Sequence, residues 1–272
     1  MTWVIEDGTD VSFYNGNIEW KIAEEDGVLT AWIRFGQRKE WVDPRRIENW
    51  VNSGDTKILR GPYWVYDERG GDLASEHIEG FKKAFVFDPK KTELPPVVDV
   101  ELFPITLSEL KKFLEWCEEW FGIAPIIYSA SWVFSALGVV LPEWMKKYLF
   151  WITGYNNRGP DLYGPLAILD PIVVAWQQTD KWPAPWCDAG KADRNYLKEL
   201  WRYVRMPDKV VNADGLILWM QENAFECEDV QPPLPPIVSG TFDLGSPLPE
   251  PLSQHRVSQD FNKRYFAYSG IG

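Results

Sequence analysis

Short apolar runs alternate along the first 204 residues with stretches in which apolar residues recur at helical spacing. Compact β-branched runs are typical of buried strands, whereas apolar residues three or four positions apart are typical of helices. The predicted strands are Leu29–Phe35, Leu59–Tyr66, Val97–Leu102, Pro125–Ser129, Leu149–Thr153 and Ile172–Gln177. The predicted helices are Pro44–Asn52, Ala74–Phe85, Leu107–Phe121, Pro142–Tyr148 and Tyr196–Val204.

This alternation predicts an α/β fold whose parallel sheet closes, or nearly closes, into a barrel. An open, doubly wound sheet is the alternative fold. Such a sheet usually carries a glycine-rich first turn for phosphate, and the sequence contains neither GxGxxG nor a Walker-type loop. In a barrel, catalytic side chains lie at the C-terminal ends of the strands.

The most clearly patterned helix is Leu107–Phe121. Thr106 and Glu109 have the spacing of a capping box, in which each side chain accepts a hydrogen bond from the other residue's backbone N–H. Gly122 follows as a stop signal. Cys117 falls on the apolar stripe, so we expect it in the core.

The composition changes after residue 204. Residues 205–272 contain PPLPP at 232–236 and SPLPEPL at 246–252, with little periodicity. Proline-rich chain of this kind is typical of an extended linker or surface arm. We predict a barrel domain over residues 1–204 and an arm over residues 205–272 that contacts a virion or a second copy of the chain.

The composition is that of a soluble protein with an unusual number of aromatic residues. Hydrophobic residues make up 45% and charged residues 25% of the chain, which includes 16 Trp, 11 Tyr and 14 Phe. Tryptophan and tyrosine suit both cores and sugar-stacking clefts, because each combines an apolar face with a polar tip. The net charge of −12 argues against a nucleic-acid partner, which requires a basic surface.

The cysteines and the N-terminus indicate where the chain is made. Three widely spaced cysteines, at 117, 187 and 227, fit neither a disulfide framework nor a zinc site. The first residues lack the basic and apolar regions of a signal peptide, and no apolar run is long enough to span a membrane. We expect synthesis in the cytoplasm without a signal peptide.

Two acids interrupt the apolar strand PPVVDVELFP, namely Asp99 and Glu101. Residues two apart on a strand share a face, so both carboxyls emerge together near the strand's C-terminal end. Two adjacent carboxylates cannot both ionise easily, and a carboxyl with a raised pKa can protonate a leaving oxygen. The alternative is a structural pair of acids bound to Arg or Lys.

An acid, an aromatic ring or an amide also lies near the ends of almost all the remaining predicted strands. These candidate site residues are Asp10, Tyr63, Tyr128, Trp151, Tyr155, Trp176, Gln177 and Asp193. Each alone is compatible with a structural role, whereas together they favour a polar, aromatic-lined cleft.

Six short motifs occur in a recognisable order. They are DVSFYNG (10–16), IEW (18–20), PVVDVE (96–101), IYS (127–129), WQ (176–177) and DRN (193–195). In this order they resemble glycoside hydrolase family 25, the Chalaropsis-type lysozymes or N-acetylmuramidases, which include phage endolysins. The resemblance covers roughly residues 5–200 and is specific mainly through the order of its motifs.

The resemblance implies a flattened, irregular TIM-like (β/α) barrel that cleaves the β-1,4 bond between N-acetylmuramic acid and N-acetylglucosamine in peptidoglycan, with retention. It implies that Glu101 is the general acid/base and that Asp99 positions the substrate's 2-acetamido group. Asp10 and Asp193 would complete an acidic cluster, with no metal and no cofactor. It also implies action on the cell wall, either after release from the cell or from the virion.

Two segments depart from the family pattern. Trp64 stands where a histidine is common, and Arg34-Phe35-Gly36 replaces a stretch that usually reads A-T-E-G. These departures raise the question of whether the substrate subsites are preserved.

Other functions fit less well. A thiol amidase would need a cysteine and a histidine brought together, a zinc amidase would need more histidines than His77 and His255, and a serine hydrolase would show G-x-S-x-G. His77 is expected on a helix surface. A non-catalytic glycan-binding or virion structural protein on a lysozyme-like scaffold is the alternative from another class.

Overall fold

The computed structural model describes residues 7–137, 141–155 and 172–197, all in the first of two units, Met1–Pro232 and Pro233–Gly272. The strands in these ranges are β1 (Asp7–Val11), β2 (Thr30–Gln37), β3 (Trp41–Val42), β4 (Leu59–Val65), β5 (Val97–Asp99), β6 (Ile126–Ser129), β7 (Leu149–Thr153), β8 (Val173–Pro183) and β9 (Lys191–Leu197). The α-helices are α1 (Trp20–Glu25), α2 (Arg46–Ser53), α3 (Ala74–Ala84), α4 (Leu107–Phe121) and α5 (Ser131–Leu137). Short 3-10 turns cover Phe13–Asn15, Pro89–Lys91 and Glu143–Lys147.

Eight of the strands close into a barrel. The ring runs β1-β2-β4-β5-β6-β7-β8-β9 and returns from β9 to β1. Every pairing from β1 round to β8 is parallel, whereas β9 is antiparallel to both of its neighbours. Strand β3 forms an antiparallel hairpin with the end of β2. The predicted irregular α/β barrel is confirmed.

Alternate side chains along the strands point into the barrel. The interior core is centred on Trp32 and Trp151, whose ring centroids lie 4.9 Å apart. Gly61 pairs with Trp32, and a Cβ at Gly61 would come within 2.8 Å of the Trp32 indole nitrogen. The bulky tryptophan therefore requires a glycine beside it. Because apolar side chains fill this part of the interior, the polar side chains that point inward lie at one end of the barrel.

The outward strand positions pack against the helices. Helix α4 buries the apolar stripe predicted from its spacing, including Phe113 and Cys117. Its bounds match the prediction, and it ends at Gly122, which adopts the left-handed conformation (φ 70°) that glycine tolerates best. No helix in the described ranges combines the length and the apolar character needed to cross a bilayer.

The predicted capping box at the start of α4 is wrong. The Thr106 side chain makes no capping hydrogen bond. Its backbone N–H instead donates to the Glu68 carboxylate, at 2.8 and 3.0 Å, from the loop after β4. The Glu109 carboxylate accepts from the backbone N–H of Ala74, at the start of α3. The Thr106 N–H and the Glu109 carboxylate of the predicted capping box therefore bond to partners distant in the sequence and not to each other.

Two predicted elements are shorter than expected. Strand β5 ends at Asp99, although the chain beyond it keeps ladder-like bonds, since the Val100 N–H donates to the Tyr128 carbonyl at 2.8 Å. The helix predicted over Pro142–Tyr148 is a 3-10 turn over Glu143–Lys147.

The helix predicted over Tyr196–Val204 is wrong at its start, because Tyr196 and Leu197 belong to β9. Pairing with β1 and β8 overrides the local helical pattern there. The remainder of that helix, the boundary at residue 204 and the arm over 205–272 lie outside the described residues and stay predictions.

Candidate active site

Four acidic side chains belong to strands that meet at one end of the barrel. Asp10 lies near the end of β1, Asp99 ends β5, and Glu101 follows two residues later. Asp193 lies near the start of β9, which runs antiparallel and so begins at the same end. The negative charge of Asp10 affects the pKa of Asp99, Glu101 and Asp193, as expected for carboxyls that lie at the same end of the barrel.

The Asp99 and Glu101 side chains are almost fully buried, with exposed fractions of 8% and 7%. Backbone bonds on both sides keep this stretch extended, because the Tyr66 N–H donates to the Asp99 carbonyl and the Val100 N–H to the Tyr128 carbonyl. Within the described residues, Asp99 Oδ1 is buried and has no hydrogen-bond partner. A buried carboxylate oxygen in that state is suited to a donor from a ligand.

Burial makes the acids hold their protons. Burial, and secondarily the negative charge of Asp10, raises the pKa of Glu101 to about 7. Burial followed by the charges of Glu101 and Asp10 raises the pKa of Asp99 well above its usual range. The pKa of Asp193 is also raised, by burial and then by Asp10. Each of these carboxyls therefore keeps its proton to a higher pH than a free carboxyl does.

Two amides hold Asp10 in place. Its Oδ1 accepts hydrogen bonds from Asn195 Nδ2 at 2.8 Å and from Gln177 Nε2 at 3.2 Å. Burial raises the pKa of Asp10, and these two bonds oppose the rise. Asn195 belongs to the sequence motif DRN, but the motif alone gives it no role. Its position two residues after Asp193, on the same face of β9, was the signal that it faces the acidic cluster.

The Gln177 amide is engaged with the protein on both sides. Its Oε1 accepts from the hydroxyls of Tyr128 at 2.8 Å and of Tyr155 at 2.9 Å, while its Nε2 donates to Asp10. One amide therefore connects two tyrosines with the acidic cluster.

The predicted aromatic residues divide into two groups. Trp151 is buried in the barrel interior against Trp32 and Tyr128. Trp176 is also buried, and its indole N–H donates to the Gly154 carbonyl at 2.7 Å. Tyr63 is half-buried and Tyr155 is exposed, so these two can present a surface to solvent. The substrate-binding roles of all these residues stay predictions.

The Trp64 side chain points away from the cleft, into the helix layer. It stacks on Phe81 with centroids 5.0 Å apart, and its indole N–H donates to His77 Nδ1 at 3.0 Å. His77, expected on a helix surface, is fully buried. Strand alternation explains both findings, because Tyr63 takes the interior position and Trp64 the outer one. The departure at Trp64 therefore lies outside the acidic cleft.

The packing around Trp64 also explains why a glycine occupies position 36. A Cβ at Gly36 would lie 2.6 Å from the Trp64 ring and 2.5 Å from the Trp41 carbonyl oxygen. A residue with a side chain would therefore not fit at this position.

In the described part of the chain, no group of three or more His, Cys, Asp or Glu side chains is arranged to hold a metal ion.

The sequence profile of the glycosyl hydrolases family 25 matches residues 9–185. Among curated proteins, the uncharacterized protein YegX of Escherichia coli K12 is 29% identical over 164 residues, covering 57% of this chain and 58% of the relative. The chain thus spans a little over half the length of the curated relatives it matches.

Solved structures share the fold. A family 25 glycosyl hydrolase from Bacillus anthracis has a TM-score of 0.61 at 22% identity, covering 73% of this chain and 93% of that one. A bacterial lysozyme from Streptomyces coelicolor has a TM-score of 0.61 at 19% identity, covering 70% and 91%. The CTP1L endolysin has a TM-score of 0.61 at 19% identity, covering 73% and 68%.

Proposed function

The chain belongs to the glycosyl hydrolases family 25, and from this premise we propose that it is a peptidoglycan hydrolase of the lysozyme type. The bond cleaved is the β-1,4 linkage between N-acetylmuramic acid and N-acetylglucosamine. The observation that carries the proposal is the buried Glu101 carboxyl, with its pKa raised to about 7, in one acidic cluster with Asp99 and Asp10.

Glu101 is the general acid/base in this proposal. A carboxyl with a pKa near 7 keeps its proton in mildly acidic solution and can still release it during the reaction. It donates that proton to the leaving glycosidic oxygen as the bond to the anomeric carbon breaks. It then removes a proton from the water that attacks the same carbon.

Asp99 orients the substrate's 2-acetamido group. Its buried Oδ1, with no hydrogen-bond partner in the described residues, can accept from the acetamido N–H. The acetamido oxygen then attacks the anomeric carbon from the face opposite the leaving group. Water later attacks the anomeric carbon from the face that the leaving group vacated and breaks the bond to the acetamido oxygen, so the overall configuration is retained.

Asp10 and Asp193 surround the sugar as the other members of the cluster. The bonds from Asn195 and Gln177 fix the Asp10 carboxylate, which is one of the charges that raise the pKa of Glu101. Tyr63 and Tyr155 are the proposed sugar contacts with surface at the cleft.

The proposed partner is bacterial cell-wall peptidoglycan. The fold shared with an endolysin supports action on the wall after release from the cell or from the virion.

The proposal is tested by following the release of reducing ends from insoluble peptidoglycan by the full chain. Glu101→Gln is the inactive variant, and Glu115→Gln, an acid on the outer face of α4, is the matched control. Release by wild type and Glu115→Gln but not by Glu101→Gln supports the proposal. Binding to the wall without release would favour the non-catalytic glycan-binding alternative.

A further inference from the structure

We propose that Tyr14 and Trp41 form a sugar-stacking platform beside the acidic cluster. Arg34 holds the two rings in place, and the rings bind a pyranose ring of a peptidoglycan glycan strand. The proposal rests on the proposed function and assigns a further subsite to the same cleft.

Two separate chain segments build the platform. Tyr14 lies in the 3-10 turn after β1, which is capped by Ser12, and Trp41 lies on β3, opposite Gln37 in the hairpin with β2. Phe13, next to Tyr14, packs between them, with its ring centroid 4.0 Å from that of Tyr14 and 5.7 Å from that of Trp41.

A buried ion pair between Arg34 and Asp43 supports the rings. Arg34 Nε lies 3.0 Å from Asp43 Oδ2, and both side chains are almost fully buried. The same Asp43 oxygen accepts from the Phe13 backbone N–H at 3.0 Å. The Asp43 carboxylate therefore fixes both the guanidinium and the loop that carries Tyr14.

The Arg34 guanidinium contacts all three rings. Its central carbon lies 4.7 Å from the Trp41 ring centroid, 5.1 Å from that of Tyr14 and 5.3 Å from that of Phe13. Cation–π contacts of this kind fix the orientation of the rings before any ligand arrives. A preorganised platform loses little conformational entropy on binding.

The platform nevertheless faces solvent. Tyr14 is 55% exposed and Trp41 37% exposed, whereas most of the chain's large aromatic side chains in the described ranges are buried. Neighbouring exposed aromatic rings on a rigid support are a common feature of binding surfaces.

The strand register places the platform next to the acids. Arg34 pairs with Tyr63 on β4, and Asp10 pairs with Trp32, two residues before Arg34 on the same face of β2. Arg34 therefore lies about 7 Å along β2 from the residue that pairs with Asp10. The positive charge of Arg34 also reaches Asp10 and Asp99, whose pKa rise it opposes. The platform is therefore continuous with the acidic cluster.

This continuity identifies the ligand class. A glycan strand extends beyond the sugar held over the acids, and the C–H face of a pyranose ring stacks on an exposed aromatic ring. The indole N–H of Trp41 adds a donor for a sugar hydroxyl or an acetamido oxygen.

The test measures binding of soluble, peptide-free peptidoglycan strands by the full chain carrying Glu101→Gln, so that turnover does not interfere. In that background we expect Tyr14→Ala and Trp41→Ala each to weaken binding about fivefold or more. Trp41→Phe, which keeps a ring, should stay within about twofold of the parent. Trp116→Ala removes a half-buried tryptophan of α4 that packs against Phe81 and Trp120, and it should leave binding unchanged.

Equal binding by the parent, Tyr14→Ala and Trp41→Ala would overturn the platform, as would failure of the parent to bind strands. Thermal unfolding of each variant shows whether a loss of binding reflects unfolding, and Trp41→Phe decides the outcome if Trp41→Ala is unstable. Failure of the proposed function gives a different pattern, namely binding that depends on the platform in a chain whose wild type releases no reducing ends.

Discussion

Gln177 Nε2 donates a hydrogen bond to Asp10 Oδ1 at 3.2 Å, across the closing strands of the barrel. The Gln177 Oε1 accepts from Tyr128 and Tyr155, so both ends of the amide are bonded to protein groups. From these contacts we expect a positioning residue, whereas the sequence predicts a residue that binds substrate directly.

Gln177→Glu should therefore reduce kcat more than it raises KM. The substitution replaces a donor by a second acid beside Asp10 and disturbs the whole cluster. We expect a loss of about tenfold or more in kcat, equivalent to about 1.4 kcal/mol. Steady-state kinetics on soluble strands is the measurement. An increase in KM with kcat unchanged would instead indicate direct sugar binding.

Activity should decline as the pH rises through about 7. Glu101 must carry its proton to act as the acid, and its pKa is about 7. Above that value, kcat/KM should fall about tenfold per pH unit. The profile is measured in buffers of constant ionic strength, and a rate that still rises above pH 8 would contradict the assignment.

Asp10→Asn should move that decline to lower pH. The negative charge of Asp10 is one cause of the raised Glu101 pKa, so its removal makes Glu101 a stronger acid. We expect the basic limb of the kcat/KM profile to shift downward, with the maximum rate also reduced. An unchanged basic limb in a variant that remains active would show that Asp10 does not act on Glu101.

Glu101→Gln should stabilise the fold at high pH but not at low pH. A carboxyl with a pKa of 4.5 when unfolded and about 7 when folded binds its proton more tightly in the folded state. Its contribution is fully present below pH 4.5 and is lost as the pH rises through about 7. The difference in Tm between variant and wild type should therefore grow between pH 4.5 and pH 8. A constant difference would argue that the carboxyl is not buried.

The apolar pattern identified the barrel because strand alternation and helix spacing depend on local sequence. Helix α4 was predicted residue for residue, since its stripe and its glycine stop are both local signals. The cap of α4 was not predicted, because Glu68 reaches Thr106 from a different loop. Tyr196 was misassigned to a helix for a similar reason, since pairing with two strands overrides its local pattern.

The site was predictable where a side chain belongs to a strand end. Asp99 and Glu101 stand out as acids in an apolar run, and the parallel barrel brings them to Asp10. Arg34 and Asp43 were not predicted as a pair, because the support of an aromatic platform by an ion pair is a tertiary arrangement. The sequence raised the question of whether Trp64 disturbs the subsites, and the structure places its side chain in the helix layer, on the face of β4 opposite to that of Tyr63.

Trp64 and His77 should show a measurable coupling free energy. His77→Phe leaves the Trp64 indole N–H buried without its acceptor, and we expect a loss of about 1–3 kcal/mol in the free energy of unfolding. Trp64→Phe removes the donor, so the double variant should be more stable than the sum of the single losses predicts, by about 1 kcal/mol. Additive losses in chemical denaturation would show that the hydrogen bond contributes nothing.

The most direct test of Glu101 as the acid of a muramidase is the identity of the new chain ends. Peptidoglycan digested by the wild-type chain at pH 6 is reduced with borohydride, and the products are analysed by mass spectrometry. We predict fragments that end in reduced N-acetylmuramic acid, and none above background from a folded Glu101→Gln variant. Ends in reduced N-acetylglucosamine, no new ends at all, or equal release by Glu101→Gln would contradict the assignment.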